Sequence, residues 1–219
     1  MARPGTSTEH PQVKRPRITP LALLREATED DREDIYRCRH DVYAVELGQY
    51  PPCETGRLEN SLDRFNRYIV ARIDGRLAGF ISLTPPEGGE YSIDGYLDRS
   101  RWPFEPGPGL FEIRLLTVLP GYRRSILAPA LMYSAFRCAQ SSGGHRLMAI
   151  GRTQVASIYR SIGMEDHAIE VTRGRVSFRL MSGTLDAIGR SIESRPRLVS
   201  RINQLVNWQV GYAFCPPAG

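Results

Sequence analysis

Residues 109–132 read GLFEIRLLTVLPGYRRSILAPALM, and the order of chemical properties along this stretch decides the fold. Its first half, ending LLTVLP, is dense in β-branched and apolar side chains and reads as a strand. Pro120 stops the strand, and the segment RRSILAPALMYSAFRCAQSSGG then reads as a helix running to the paired glycines 143 and 144. A helix beginning there would turn unpaired backbone N–H groups and the positive end of its dipole toward whatever lies beyond the strand. The mouth of that helix, near Arg123, is therefore expected to grip an anionic handle.

Working outward, RLMAIG at 146–151 reads as a second strand and TQVASIYRSIG at 153–163 as a second helix, giving the order strand, helix, strand, helix. HAIEVTRGRVSFRLM then supplies a strand pair turning at Arg173-Gly174. Upstream, YIVARIDGRLAGFISLTPP reads as two antiparallel strands joined at Asp74-Gly75, a dipeptide suited to the positive φ of a tight hairpin. A helix begins near Thr28, with Glu29, Asp30 and Asp31 at its positive end, and Ile35, Cys38, Val42 and Val45 mark its buried stripe. Between these elements, residues 85–109 form a long loop rich in Gly, Pro and Asp, a length usual for functional or mobile segments. Beyond Gly183, two apolar stripes (Leu185, Ile188, Ile192, then Leu198, Ile202, Leu205, Val206) are separated by Pro196. The expected architecture is α+β: a mixed sheet flanked by helices over residues 21–181, preceded by a disordered basic arm at 1–20 and followed by a C-terminal helical extension at 182–219 packed on the domain.

The 219 residues, 41% hydrophobic and 24% charged, lie in the globular range. No apolar run reaches the length of a membrane span, and the N-terminus lacks the apolar centre of a secretory signal, so the expectation is a soluble cytoplasmic protein without membrane association. Cys38, Cys53, Cys138 and Cys215 show neither CxxC nor Cys/His ligand spacing, and His40, His145 and His167 lie on different elements, so no metal site is expected. The net charge of +5 sits at the two ends: Arg3, Lys14, Arg15 and Arg17 against Glu9 give +3, and Arg190, Arg195, Arg197 and Arg201 against Asp186 and Glu193 give +2. Such ends suit an acidic carrier protein or an RNA, or act only as solvated faces.

Val118, Pro120 and Arg123, followed by Ile126 and Ala128 at two small-residue positions, resemble the donor-binding segment of the Gcn5-related N-acetyltransferase (GNAT) superfamily. SIYRSIGM at 157–164 is similar to that superfamily's LY-x-x-x-GF segment. RHDVYAVELGQY at 39–50 and Glu112-Ile113-Arg114 are similar to its N-acyl amino acid synthase and acyl-homoserine-lactone synthase branch. The resemblance implies a GNAT fold whose fourth and fifth strands splay. It implies donor contacts from Leu116, Val118, Leu119, Arg123, Arg124, Ser125 and Ala128, and acceptor contacts from Arg39, Glu46 and Arg114. Tyr159 would protonate the departing thiolate, and Glu112 would take the amine proton directly or through water. A backbone N–H near Val118 or Leu119 would face the developing oxyanion. From the residues alone, Glu112 and Arg114 are equally readable as a structural ion pair, Tyr159 as a core tyrosine, and Arg39 with Glu46 as a helix-surface pair. Ile126 departs from the glycine that lets backbone approach a diphosphate. That departure favours the single phosphate of a phosphopantetheine arm, or an approach through Arg123 and Arg124.

The activity so implied is transfer of an acyl group from acyl-CoA or an acyl carrier protein to the amine of a small molecule such as an amino acid, without metal or covalent intermediate. Two alternatives stay open: an aminoacyl-tRNA donor, favoured by the basic ends, and a non-catalytic domain that senses a pantetheine-like ligand. No S-adenosylmethionine site is identifiable, and the oligomeric state is not legible in the sequence.

Overall fold

A computed structural model describes residues 21–210 of the chain. Eight strands form one sheet: β1 (Ala22–Glu26), β2 (Arg67–Ile73), β3 (Arg76–Thr84), β4 (Leu110–Val118), β5 (Arg146–Arg152), β6 (Glu165–Arg173), β7 (Val176–Thr184) and β8 (Val206–Gln209). Their order across the sheet is β6-β7-β5-β4-β3-β2-β1-β8. Among the described residues only β4/β5 and β1/β8 run parallel. The β2–β3 hairpin turns where expected, with Asp74 and Gly75 at φ 50° and 75°, the pair of positive angles that matches strand twist.

Alternation along the strands divides the core. Ile69, Ala71, Ile81, Leu83, Phe111, Ile113, Leu147 and Ala149 face helix α2 (Leu127–Ser141) and the C-terminal helices α4 (Leu185–Glu193) and α5 (Pro196–Leu205). Tyr68, Val70 and Phe80 face helix α1 (Glu29–Arg39) on the other side. The long loop also covers this second side: Tyr91, Ile93, Leu97 and Trp102 pack on Leu110, Met148 and Leu180 in a separate apolar cluster. Short 3₁₀ turns at Pro86–Gly88, Ser92–Gly95 and Arg99–Arg101 shape the loop, so it is built structure over the sheet.

Several expectations change. Helix α1 starts at the Thr28 cap as expected, with Asp31 accepting from the Thr28 N–H at 2.7 Å, but its later course differs. After Arg39 it widens into a π-helix over His40–Glu46. That change of pitch rotates later residues out of phase, so Val42 and Tyr43 are buried whereas Val45, expected in the apolar stripe, is 62% exposed. Helix α2 begins at Leu127, later than expected. Pro120–Tyr122 form a 3₁₀ turn, Arg123 is extended, and Arg124 takes a left-handed φ of 61°.

The C-terminal region is not wholly helical. The boundary drawn at 181/182 falls inside β7, and after α5 the chain returns to the sheet as β8 beside β1. Val206 and Trp208 alternate with polar Asn207 and Gln209, so the apolar run assigned to a helical stripe switches to a period of two at Val206. The basic arm at 1–20 and Cys215 lie outside the described residues. Among the described residues no helix is long and apolar enough to cross a membrane.

Candidate active site

Strands β4 and β5 start side by side and then part. Their register runs only from Leu110↔Arg146 to Ile113↔Ala149, although β4 continues to Val118 and β5 to Arg152. On the β3 side, a register shift between Phe80 and Ser82 places Leu115 at φ 54°, a bulge that bends β4 away from its parallel neighbour. Thr117 Oγ1 pins the bend by donating to the Leu115 carbonyl at 2.9 Å, and it also meets the Tyr43 hydroxyl at 2.8 Å. The Leu119 N–H is bonded to Ala78 on β3, so that donor is committed. By alternation along an antiparallel pair, the Val118 N–H points the opposite way, toward the side β5 has vacated.

A cavity of about 270 Å³ fills the gap. Leu116 and Val118 line one wall, Ile150, Arg152 and Phe178 the other, and Tyr43, Gln49 and Tyr50 close it from the π-helix side. Arg123, Arg124, Ser125 and Ala128 line the end nearest α2. The tip of the β6–β7 hairpin braces the opposite rim: Arg175 N–H bonds the Gly48 carbonyl at 3.3 Å, and the Arg173 guanidinium lies 4.6 Å from the Tyr50 ring centre.

The mouth of α2 differs from an ordinary helix start. The Leu127 N–H is satisfied by Ser125 Oγ at 3.2 Å, and Pro129 has no N–H, so the first turn exposes fewer donors than usual. Ile126 does not crowd this end. Its φ of −70° is ordinary and its side chain packs against the α2-side core. The left-handed backbone that glycine would favour falls instead at Arg124. Cationic side chains supplement the thinned donor set. Arg123 bonds the Val118 carbonyl at 3.2 Å and Glu46 at 2.7 Å, and its guanidinium holds the Glu46 carboxyl below its ordinary range.

Tyr159, on helix α3 (Ala156–Ser161), is buried against Gly151 of β5 and lines the cavity. Burial raises its phenol above the ordinary range, so it stays protonated at neutral pH. Arg114 also lines the cavity, 9% exposed, with Nη1 unpartnered among the described residues. Gln49 Oε1, on a side chain 8% exposed, is unpartnered too. Each of these two cavity-lining residues thus carries one buried polar atom without a hydrogen-bond partner, a donor on Arg114 and an acceptor on Gln49.

Glu112 shares the Arg114 face of β4 but lies behind the wall, 0% exposed. Ser92 holds both its oxygens: the backbone N–H donates to Oε2 at 2.7 Å and the hydroxyl donates to Oε1. Arg114 Nε stands 3.9 Å from Oε2. Burial pushes the Glu112 carboxyl up, and the Arg114 charge and Ser92 donors partly offset that push.

Not every residue singled out in the sequence converges here. Arg39 is buried away from the cavity, bonded to Asp63 at 2.7 Å and the Tyr68 hydroxyl at 3.2 Å. Leu119 packs in the α1-side cluster, and Glu46 reaches the site only through Arg123. Conversely Ser92 and Gln49 were not singled out. Ser92 lies in a loop without periodicity, and its one signal was the loop's length. Gln49 lies inside the quoted 39–50 segment but titrates nothing and breaks no pattern.

The profile of the acetyltransferase (GNAT) family matches residues 25–164, and the chain belongs to that family, whose members are acyltransferases. Among solved structures it is similar to the CoA-dependent acyl-homoserine lactone synthase BjaI, solved with SAM and isopentyl-CoA: 17% identity, TM-score 0.70, covering 87% of this chain and 94% of that one. It is also similar to the AHL synthase LasI (11% identity, TM-score 0.67, covering 80% and 96%). A third is FeeM, an N-acyl amino acid synthase from uncultured soil microbes (15%, 0.62, 79% and 96%). These likenesses establish a shared fold. No curated protein sequence matches the chain.

Proposed function

We infer that the cavity is the centre of an N-acyltransferase that moves an acyl group from a thioester donor, acyl-CoA or an acyl carrier protein, to the amine of a small carboxylate-bearing molecule such as an amino acid. One observation carries this reading. A single gap between parted strands gathers a protonated tyrosine, an inward backbone N–H at Val118, and the unpartnered Arg114 Nη1 and Gln49 Oε1. The thioester carbonyl would enter beside Val118, whose N–H opposes the charge developing on its oxygen. Arg114 Nη1 would take the acceptor's carboxylate, and Gln49 Oε1 would accept a hydrogen bond from its amine. Tyr159 would protonate the departing thiolate, and attack by nitrogen is direct. The donor phosphates would lie against Arg123, Arg124 and the Ala128 end of α2. Support also comes from BjaI, solved with isopentyl-CoA, and from FeeM, an N-acyl amino acid synthase.

Mass spectrometry of products from a panel of acyl-CoA, acyl-carrier and aminoacyl-tRNA donors with pooled amines tests the reading. A new amide from a thioester donor supports it; no amide from any pair refutes it and leaves the domain a ligand sensor. The second reading, an aminoacyl-tRNA donor, is favoured by the sparse N–H set at the start of α2 and by the basic residues of α5. Under that reading affinity falls steeply with salt, whereas for acyl-CoA it falls weakly.

A further inference from the structure

Glu112 has the burial and neighbours of a base but does not line the cavity, whereas Ser92, which holds both its oxygens, does. The Ser92 backbone N–H alone would suffice to fix the loop on Oε2. Its hydroxyl contacts the other oxygen, and a hydroxyl accepts as readily as it donates. While the Ser92 proton points at Oε1, the Oγ lone pairs are left for a group inside the cavity. Arg114, at 3.9 Å from Oε2, favours the ionised carboxylate before reaction.

We propose that Ser92 is a catalytic residue, the relay through which the acceptor amine loses its proton to Glu112. This rests on the acyl-transfer reading and assigns a step within it. As the N–C bond forms, one proton passes from nitrogen to Ser92 Oγ and the Ser92 proton passes to Glu112 Oε1. The C–S bond breaks, its electron pair stays on sulfur, and the thiolate takes the Tyr159 proton. Glu112 ends one proton richer and Tyr159 one poorer, so the net charge is unchanged, and exchange with water resets both as products leave. A carboxyl pushed upward by burial is a better proton acceptor near neutrality than an ordinary glutamate.

The test uses the full chain and whichever acyl-CoA and amine pair yields amide, with thiol release followed against pH. Ser92→Ala lowers kcat by about 10²-fold and leaves the donor KM unchanged. Because the carboxylate loses a donated hydrogen bond, the acid limb of the residual activity moves to higher pH. Ser92→Cys keeps the volume but donates weakly; it serves if S92A fails to fold, and is also slowed about 10-fold or more with the same displacement of the limb. A soluble S92A or S92C enzyme with undiminished kcat and an unmoved limb overturns the relay alone. A wild-type chain that releases no thiol with any pair overturns the functional reading and the relay with it.

Discussion

Replacing Gly151 by alanine tests the placement of Tyr159 without touching its hydroxyl. A Cβ at position 151 would lie 2.5 Å from Tyr159 Cε2 and 2.9 Å from Cδ2. Ordinary contact begins near 3.4 Å, so the ring must retreat by about 0.9 Å or the strand must bend. The ring is buried and α3 packs on β5, β6 and β7, so little of that movement can be absorbed without displacing the hydroxyl. An error of roughly 1 Å in the placement of a reacting group costs about 10²-fold in rate, and the overpacking costs about 1–3 kcal/mol of stability. Gly151→Ala therefore lowers kcat by about 10²-fold in the thiol-release assay, with a small change in donor KM. Because both substitutions disable the same proton donor, the double variant Gly151→Ala/Tyr159→Phe is no slower than Tyr159→Phe alone. Losses that multiply in the double variant, or a Gly151→Ala enzyme of wild-type kcat, would refute the placement.

Glu112→Gln abolishes most activity yet stabilises the fold at high pH. Folding raises the Glu112 pKa, so its stability contribution is full below the unfolded value near 4.3 and is lost as pH climbs through the folded value. Thermal unfolding should accordingly show E112Q gaining on wild type between pH 5 and pH 8, and a gain that shrinks with rising pH contradicts the direction of the shift. Asp63→Asn strands the buried Arg39 charge and costs about 3–5 kcal/mol by urea unfolding; a loss below about 1 kcal/mol would mean that Arg39 finds another partner. Glu46→Gln frees the Arg123 guanidinium from a competing carboxylate, so KM for a phosphate-bearing donor falls, by less than about 10-fold because the pair is half exposed; a rise would show that Glu46 instead holds Arg123 in its working position.

The fold was legible because its central elements repeat simple periods. The hairpin at Asp74-Gly75, the strand before Pro120 and the glycine-ended helices each announce themselves locally. What the sequence hid depends on departures from regular pitch. The π-helix at His40–Glu46 carries no marker residue, yet it decides that Tyr43 meets Thr117 while Val45 faces water. The bulge at Leu115 is equally silent, since leucine rarely takes a positive φ. At the site, Arg114, Tyr159 and the 123–128 segment were readable from motif spacing. Ser92 and Gln49 were not, because the 85–109 loop and the turn after the π-helix, far apart in sequence, bring them to one cavity. The Ile126 departure looked obstructive only while its side chain had no assigned direction.

A crystal structure with a 2-oxoalkyl thioether of CoA, which cannot transfer its acyl group but keeps a ketone carbonyl next to the S–CH2 link, tests the central claim most directly. The account predicts the carbonyl oxygen within hydrogen-bond distance of the Val118 N–H, sulfur beside the Tyr159 hydroxyl, and phosphates against Arg123 and Arg124. An analogue bound elsewhere, with the space between β4 and β5 filled by protein side chains, would contradict it.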